Sequence, residues 1–547
     1  MTAFSNLRRD FLRTGSLGMA AVAIPAVSYA AQGPEGTAGR TPSPGIFDVR
    51  QFGATGDGKT LDTNAVNHAI EAAAAAGGGV VLFPAGTYLC FSIRLKSQVH
   101  LHLEQGCTIV AADSPLPDQQ TGYNGGTYDA AEPKTAWDAY QDYGHNHWHN
   151  SLIWGEDIHD FSITGTGLIW GKGLSFGAER ASRGNYPSYR AEQAGVGNKT
   201  IALKNCRNVL LRDFSVLKGG HFVVLATAVD NFTLDNLLID TDRDGFDIDC
   251  CKNVRVSNCT VNSPWDDAIC PKSSYALGYA RPVDNITIAN CYVTGTYELG
   301  SVLSGKWTKF AADFRVPRNG RIKCGTESNG GFRNVAISNC ICEGSHGISL
   351  ESSDGALIED VAISNITMRD TVDAALFLRL NVRNRGPKET MRPGTLRRVV
   401  MSNIVAHNSS PRTASFFSGV PSNLIEDVKL SNCYFGQAGS PPADAAGRVV
   451  PELEDGYPEV GRFGATPSQG FYIRHLRNLE MSHVEVAPES PDTRPAFYLE
   501  DVHRADFFAI TAPPQPNFTL KDVTDLRIFW SRAAKDTTLA TANDQTI

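Results

Sequence analysis

The sequence lacks two features that mark nucleic-acid-binding proteins and proteins embedded in a membrane. No basic run is longer than a pair such as Arg397-Arg398, and the net charge is −8. This argues against nucleic acid as a partner, because such proteins carry a clustered positive patch. Beyond residues 1–30, no apolar stretch is long enough to span a bilayer. We therefore expect no membrane contact once any leader is removed.

The twelve cysteines also lack the Cys-x-x-Cys spacing of a metal site. Five of them directly follow an asparagine at the same point of a recurring segment: Cys206, Cys259, Cys291, Cys340 and Cys433. Free cysteine behaves as a small buried hydrophobe. We predict mostly reduced, buried thiols, although export would permit disulfides. We predict no metal and no cofactor.

The N-terminus reads as a targeting segment. Residues 7–13, LRRDFLR, resemble a twin-arginine export signal, and a short apolar run ends at Ser28-Tyr29-Ala30. We predict a signal peptide over 1–30, a flexible linker over 31–44, and a periplasmic or secreted protein. The alternative is an N-terminal membrane anchor.

A degenerate repeat, roughly N-V-x-I-S-N-C-x-V, runs through the chain. Copies begin at Asn208, Asn231 and Asn253, at steps of about 22 residues, and continue to Asn478. Each copy alternates apolar and polar residues as a strand does, and an asparagine then bends the chain into the next strand. The pattern predicts an all-β, right-handed parallel β-helix, a solenoid of roughly ten coils. A propeller needs about forty residues per blade and fits poorly, as does a sandwich.

The ends and loops follow from the repeat. A helix capped by Asp62 and stopped at Gly77 should cover the N-terminal end of the solenoid. We place the β-helix over 45–512 and a C-terminal cap or tail over 513–547. The long segments that lack the repeat, 112–150, 297–320 and 435–470, are predicted loops that build a binding site. We expect a monomer.

Residues 241–273 concentrate carboxylates. Asp244 and Asp266 are about one coil apart, so they should lie on adjacent turns, where strands are about 4.8 Å apart. Asp247, Asp249 and Asp267 lie in the same stretch. Such a cluster raises the pKa of its members and is a candidate site. The structural alternative is that these aspartates only cap turns or hold calcium.

Three segments resemble known protein families. IFDVRQFGATGDGKT, from Ile46, is similar to the N-terminal region of pectin-lyase-fold proteins. DRDGFDI and WDDAICPKS resemble the NTDGxDI and DDxIxxKS motifs of glycoside hydrolase family 28, the polygalacturonases and rhamnogalacturonases. The resemblance implies an exported, inverting hydrolase of a pectin-related or other acidic polysaccharide. It implies that Asp266 is the general acid and that Asp244 and Asp267 activate water, with a carboxyl separation of about 6.5–9.5 Å.

The sequence departs from this family at three motifs. In DRDGFDI, Asp242 and Arg243 replace the asparagine and threonine of NTDGxDI. The family's Gly-His-Gly motif is absent before GTESNGG, the segment that contains Glu327; an alternative register takes Ser345-His346-Gly347 as that motif. Arg321-Ile322-Lys323 looks like the family's Arg-x-Lys motif but lies one coil early. At the expected place we find Ser349 and Glu351 instead. A galacturonate in the usual subsite is therefore doubtful, and the substrate could equally be neutral or branched.

Further residues are candidate sugar ligands. Lys272 keeps its motif position, and Arg321, Lys323 or Arg379 would bind an acidic sugar by charge-assisted hydrogen bonds. Each is equally a candidate structural charge. We add Glu327, and His221, which lies one coil before Asp244 and could also be a packed histidine. His145, His147 and His149 have a spacing that suits a metal, but no carboxylate lies in their run. With Trp148 we predict that they form a sugar-facing wall.

Two other functions stay open. A polysaccharide lyase on the same fold would need calcium, which Asp242, Asp247 and Asp249 could hold. A non-catalytic β-helix would bind a glycan without turnover.

Overall fold

The computed structural model describes residues 45–142, 144–176 and 189–547. The predicted signal peptide and the predicted linker lie outside the described residues. The described residues from 45 to 547 form one compact unit. No helix among the described residues has the length and apolar character needed to cross a membrane.

The unit consists almost entirely of short strands, with two helices, α1 (Thr63–Ala75) and α2 (Val460–Phe463). The strands of the N-terminal coils are β1 (Gly45–Asp48), β2 (Asp57–Leu61), β3 (Gly79–Phe83), β4 (Gly86–Cys90), β5 (Ile93–Arg94), β6 (Val99–Leu103), β7 (Cys107–Ala111), β8 (Ile153–Glu156), β9 (His159–Thr164), β10 (Leu168–Trp170), β11 (Ile201–Lys204), β12 (Arg207–Arg212) and β13 (Ser215–Leu217). The strands of the central coils are β14 (Phe222–Thr227), β15 (Asp230–Asp235), β16 (Leu238–Asp240), β17 (Asp244–Asp249), β18 (Lys252–Ser257), β19 (Thr260–Asn262), β20 (Ile269–Lys272), β21 (Val283–Ala289), β22 (Tyr292–Thr294), β23 (Ile322–Cys324), β24 (Phe332–Ser338), β25 (Ile341–Glu343) and β26 (Ile348–Ser352). The strands of the C-terminal coils are β27 (Leu357–Arg369), β28 (Leu376–Leu380), β29 (Thr395–Ser409), β30 (Ser415–Ser418), β31 (Ile425–Gln437), β32 (Phe471–Pro488), β33 (Phe497–Phe508), β34 (Phe518–Phe529), β35 (Thr537–Ala542) and β36 (Gln545–Thr546).

Successive coils pair in parallel, which confirms the predicted right-handed parallel β-helix. The repeat stacks upon itself: Phe232 of β15 pairs with Val254 of β18, which pairs with Ile286 of β21. All three side chains are buried. The apolar positions of the repeat thus form one continuous core along the solenoid axis, as the alternation predicted.

The asparagines of the repeat turn the corners of the coils. Asn253 has a φ of 57° and Asn258 a φ of 58°, a left-handed conformation that asparagine tolerates better than most residues. Their side chains also stack: Asn253 donates to Asn231 at 3.2 Å, and Asn285 donates to Asn253 at 3.1 Å. The predicted bending role of asparagine is confirmed.

Helix α1 lies where the sequence predicted it and packs Val66, Ile70 and Ala73 into the core. Asp62 holds the N-cap position but does not cap the helix. Its carboxylate accepts hydrogen bonds from the backbone N–H groups of Thr55 and Gly56, so it ties the helix to the preceding loop.

At the far end, β35 and β36 fold back antiparallel onto β34. The three long loops leave the coils between β7 and β8, between β22 and β23, and between β31 and β32. All twelve cysteines are free and buried, as predicted.

Candidate active site

Adjacent strands bring the three predicted acids together. Asp244 begins β17, and Asp266 and Asp267 precede β20. The two strands pair in parallel, with Phe246 opposite Ile269. One oxygen of each acid lies within 4.8 Å of one oxygen of both others. The predicted clustering on adjacent coils is therefore confirmed, whereas the roles of the acids remain to be tested.

Arg243 bridges two of the acids. Its Nη2 donates to Oδ2 of Asp266 at 2.6 Å and lies 3.5 Å from Oδ2 of Asp244. Burial raises the pKa of Asp244 well above its usual range, and the nearby Asp266 and Asp247 carboxylates add to the rise. The Asp266 side chain keeps 25% of its surface exposed, against 3% for Asp244. Asp266 is thus the acid of this pair that a substrate can reach.

Asp267 is held by two cations. Arg321 Nε donates to its Oδ1 at 2.6 Å, and Lys323 Nζ lies 2.7 Å from its Oδ2. Burial favours the neutral acid, but the charges of Arg321, Lys323 and Lys272 outweigh it and lower the pKa of Asp267 below its usual value. Asp267 is therefore a fixed negative charge at neutral pH.

The segment Arg321-Ile322-Lys323 lies one coil before the position of the family's Arg-x-Lys motif, as the sequence predicted. Arg321 and Lys323 lie on the coil directly after the acids, and Lys323 pairs with Ser349 of the next coil. Although they lie one coil early, both cations reach Asp267. Glu351, at the position of the family's lysine, is fully buried, and neither of its oxygens has a hydrogen-bond partner among the described residues. Burial raises the pKa of Glu351 to about 7.

The loop between β31 and β32 folds over these cations. Arg321 donates from Nη1 and Nη2 to the two oxygens of Glu459 at 3.0 and 3.1 Å. His346 Nδ1 lies 3.2 Å from Glu459 Oε1. Lys323 Nζ donates to the Tyr457 hydroxyl at 3.4 Å. His346, the alternative candidate for the family's histidine, therefore supports the loop carboxylate in this structure.

Lys272 and Glu327 form a second layer of charge beside the acids. Lys272 Nζ donates to Glu327 Oε2 at 3.3 Å and lies 3.9 Å from Asp247 Oδ2. Glu327 also accepts from Arg385 at 2.8 Å. Asp247 has a further partner, His145, at 3.2 Å. Both predicted residues lie close to the acids, within a closed network of ion pairs.

His221 lies beneath the same cleft. Its ring stacks on Phe222 with centroids 4.3 Å apart, and the loop backbone at Gly144 closes over it, since a Cβ there would lie 2.5 Å from the ring. Burial, reinforced by the charge of Arg243, lowers the pKa of His221 well below its usual value. It is a neutral packed histidine that is 5% exposed.

Two predicted sugar ligands are wrong. Arg379 is fully buried and donates to Ser418 Oγ and to the backbone oxygens of Gly419, Glu452 and Leu453, so it anchors a loop. Trp148 is 2% exposed, and its Nε1 donates to Thr227 Oγ1 at 3.1 Å. Neither side chain presents a surface to a sugar, because loops cover both.

The predicted sugar-facing histidine wall is also wrong. His145 contacts Asp247, His147 contacts Asn150, and His149 contacts Glu156. The three rings face different neighbours, because the chain bends at each of these loop positions, so they share neither a wall nor a ligand set.

One further expectation differs from the structure. The calcium ligands considered for a lyase do not converge: Asp249 accepts from the Ser274 backbone and hydroxyl, and Asp247 contacts His145. In the described part of the chain, these aspartates and Asp242 form no cluster of metal-ligating atoms.

The sequence reasoning missed several residues at the site. Trp265, which precedes Asp266, packs edge-on against Phe310 and Phe314 of the 297–320 loop, and these two rings stack on each other with centroids 5.0 Å apart. Arg243 was noted only as a departure from a motif. Its position beside Asp244 was the available signal. Glu459 and Tyr457 had none, because they lie more than 130 residues from their partners.

Profile matches agree with this fold and site. A profile described as rhamnogalacturonase A/epimerase, pectate lyase-like, matches residues 46–134, and one described as glycosyl hydrolases family 28 matches residues 129–320. A fold of stacked parallel coils with this acidic site defines a pectate lyase-like β-helix protein. Within that group, residues 129–320 match glycoside hydrolase family 28, and this match together with polygalacturonase relatives indicates a glycoside hydrolase.

Individual relatives are distant. A probable polygalacturonase of Vitis vinifera is 23% identical over 70% of this chain and 72% of its own length. An exo-poly-alpha-D-galacturonosidase of Dickeya chrysanthemi is 24% identical, over 57% of this chain and only 55% of its own length. A family 28 exopolygalacturonase of Yersinia enterocolitica superposes with a TM-score of 0.58 at 19% identity, covering 86% of this chain and 79% of that one. At this identity, the structural likeness establishes the fold alone.

Proposed function

We propose that the protein is an exported, inverting glycoside hydrolase that cleaves a glycosidic bond in a pectin-related polysaccharide or oligosaccharide. The observation that carries the proposal is the clustering of Asp244, Asp266 and Asp267, the first two of which are bridged by Arg243. The relatives from Vitis vinifera and Dickeya chrysanthemi, whose names denote polygalacturonan hydrolysis, support the substrate class.

Asp266 is the general acid. It is the more exposed member of the pair, and the buried Asp244 beside it, whose pKa is raised by burial, can hold a proton and pass it to Asp266. With that proton on Asp266, it passes to the glycosidic oxygen as the bond to the anomeric carbon breaks. Asp244 is then ionised and available as a base.

A water molecule supplies the nucleophile. Its proton passes to Asp244 while its oxygen bonds to the anomeric carbon, so one proton is donated and one is received in each turnover. Transfer of the proton from Asp244 back to Asp266 restores the starting state. Asp267, fixed between Arg321 and Lys323, is too weak a base to share this task equally. It orients the water and stabilises positive charge on the reacting sugar.

The product anomer tests the inverting outcome. The resemblance to family 28 supports inversion, whereas a retaining enzyme would use one carboxyl as the nucleophile, with the two carboxyls about 5–5.5 Å apart. Proton NMR of the first product formed from a pectic oligosaccharide reports the anomer before it equilibrates. Inverted configuration supports the water mechanism, and retained configuration would replace it with a glycosyl-enzyme route.

The variant Asp266→Asn tests the acid. We expect turnover to fall by about 10²–10⁴-fold with the melting temperature nearly unchanged. Asp506→Asn is the matched control, because Asp506 lies on a coil far along the chain from Asp266 and pairs with Arg527 of the adjacent coil. Equal turnover in Asp266→Asn and the control would contradict the assignment. Export is tested separately by fusing residues 1–44 to a reporter, whose appearance in the periplasm should be lost when Arg8 and Arg9 are changed to lysine.

A further inference from the structure

We infer that the sugar bound against Asp266 carries no carboxylate, so this subsite selects a neutral glycosyl residue. This inference rests on the proposed hydrolytic function and narrows its substrate. It concerns only the sugar in contact with the acids. Other sugars of the same polymer can still be uronates. The argument is that the cations near the acids are already bound to carboxylates of the protein.

Arg321 is the cation best placed to bind a uronate, and its donors are occupied. Nε binds Asp267, while Nη1 and Nη2 bind Glu459 in the two-pronged geometry that a substrate carboxylate would use, so that each of its three nitrogens already donates to a carboxylate. Glu459 therefore stands in place of a uronate carboxylate. Arg321 is 2% exposed, so a sugar acid would have to displace Glu459 to reach it.

The other cations around the acids are engaged in the same way. Lys323 pairs with Asp267, Lys272 pairs with Glu327, and Arg243 pairs with Asp266. Lys272 and Lys323 are each less than 5% exposed. Among the described residues, a uronate at this place would meet carboxylates that already share Arg321, Lys323, Lys272 and Arg243.

Glu351 adds a further obstacle to an anion. It lies 3.8 Å from Arg321 Nη1 with no hydrogen-bonded neighbour in the described chain, so its negative form would repel a second carboxylate. The same coil carries Ser349 rather than a cation, which leaves no positive charge on this strand to receive an acid.

Aromatic residues next to Asp266 in the chain and in the 297–320 loop offer apolar surface. Trp265 is half-buried and precedes Asp266, and Phe314, which packs against Trp265, is 48% exposed. The C–H face of a neutral sugar ring covers such aromatic surface without desolvating a charge, whereas a uronate would lose hydration without a free partner among these four described cations.

The test compares acidic and neutral substrates. The first set consists of oligogalacturonides, their methyl esters and their carboxyl-reduced forms, which differ only at the carboxyl carbon. Rhamnosyl oligosaccharides add a second neutral configuration. We expect kcat/KM to be at least about tenfold higher for a neutral substrate than for the free acid. Glu459→Gln, which removes the competing charge, should shift this ratio toward the acid by about tenfold. Glu459→Ala should shift it in the same direction.

Glu480→Gln is the matched control, since Glu480 pairs with Lys429 on the outer surface. Calorimetric binding of the same ligands to Asp266→Asn keeps the two proposals separate. If no substrate is turned over, the hydrolytic proposal fails, and binding still decides the selectivity. Preference for the free acid, an unchanged ratio in Glu459→Gln, or no detectable binding of any neutral ligand would overturn the inference.

Discussion

Arg321 donates to Asp267 at 2.6 Å across two successive coils, and 54 residues separate the two in the chain. Both side chains are almost completely buried. Removing one partner would weaken the compensation of the other charge in the interior, where, among the described residues, Asp267 would keep only Lys323 and Arg321 would keep only Glu459 as a hydrogen-bonded ion pair. The pair therefore acts as a unit in folding as well as at the site.

Changing either partner alone should be costly. We expect Arg321→Met and Asp267→Asn each to lower the free energy of unfolding by about 1–3 kcal/mol, because each removes a charged hydrogen-bond partner from a buried group. The double variant should lose at least about 1 kcal/mol less than the sum. Denaturant unfolding of the four proteins measures the coupling.

Arg527 and Asp506 provide the matched cycle. Their contact is also 2.6 Å between adjacent coils, but the Arg527 side chain is 44% exposed. Its coupling should not exceed about 1 kcal/mol. Equal coupling in the two cycles would show that burial does not set the strength of the Arg321 pair.

Glu351 predicts a pH dependence of stability. Its pKa is raised by burial to about 7 in the folded protein, above the 4.5 of a free glutamate. Between these values the folded state holds more protons than the unfolded state, so this group makes stability fall as pH rises, by about 3 kcal/mol in total. Glu351→Gln removes this term, and its melting temperature should exceed that of the wild type by a margin that grows from pH 5 to pH 7.5. Parallel melting curves across that range would refute the prediction.

Arg379 should act through the loop that it anchors. It donates to the backbone oxygens of Glu452 and Leu453, within the loop that carries Tyr457 and Glu459. We expect Arg379→Met to open residues 435–470 to limited proteolysis and to lower turnover indirectly. Arg397→Met, on the exposed surface, should leave the cleavage pattern unchanged. Mass spectrometry of the first fragments locates the cut, and a cut elsewhere would argue against this role.

The stacked asparagines can be tested at Asn258. This residue donates to Asp235 at 2.8 Å and has a φ of 58°. Asn258→Ala should cost about 1–3 kcal/mol, through the lost hydrogen bond and the strained backbone. Asn258→Gly should cost less, since glycine tolerates this conformation. Equal losses in the two variants, measured by denaturant unfolding, would assign the cost to the hydrogen bond alone.

The fold and the acidic cluster could be predicted because both depend on local spacing. The repeat that begins at Asn253 sets the length of a coil, and this length places Asp266 one turn after Asp244. The same coil length also showed that Arg321 lies one coil before the position of the family's arginine. These predictions do not depend on how the loops fold.

The surroundings of the acids could not be predicted in the same way. The contact of Glu459 with Arg321 joins positions 138 residues apart, and it depends on how a loop folds rather than on any period. Trp148 was expected to face a sugar because aromatic loop residues often do, but its ring is buried beneath the loop and held by Thr227. Exposure in a long loop is set by packing, which one sequence does not reveal.

The asparagine corner has a consequence for how this protein can diversify. Coil after coil crosses it with two residues between strands, as from β15 to β16, from β18 to β19 and from β21 to β22. The corner before the site strands has no such limit, since only residues 263–268 separate β19 from β20, whereas 295–321 separate β22 from β23. One corner of the solenoid thus keeps a constant length, whereas the other accepts insertions of different lengths. New substrate preferences can arise by changing the loops next to the acids while the distance between those acids stays the same.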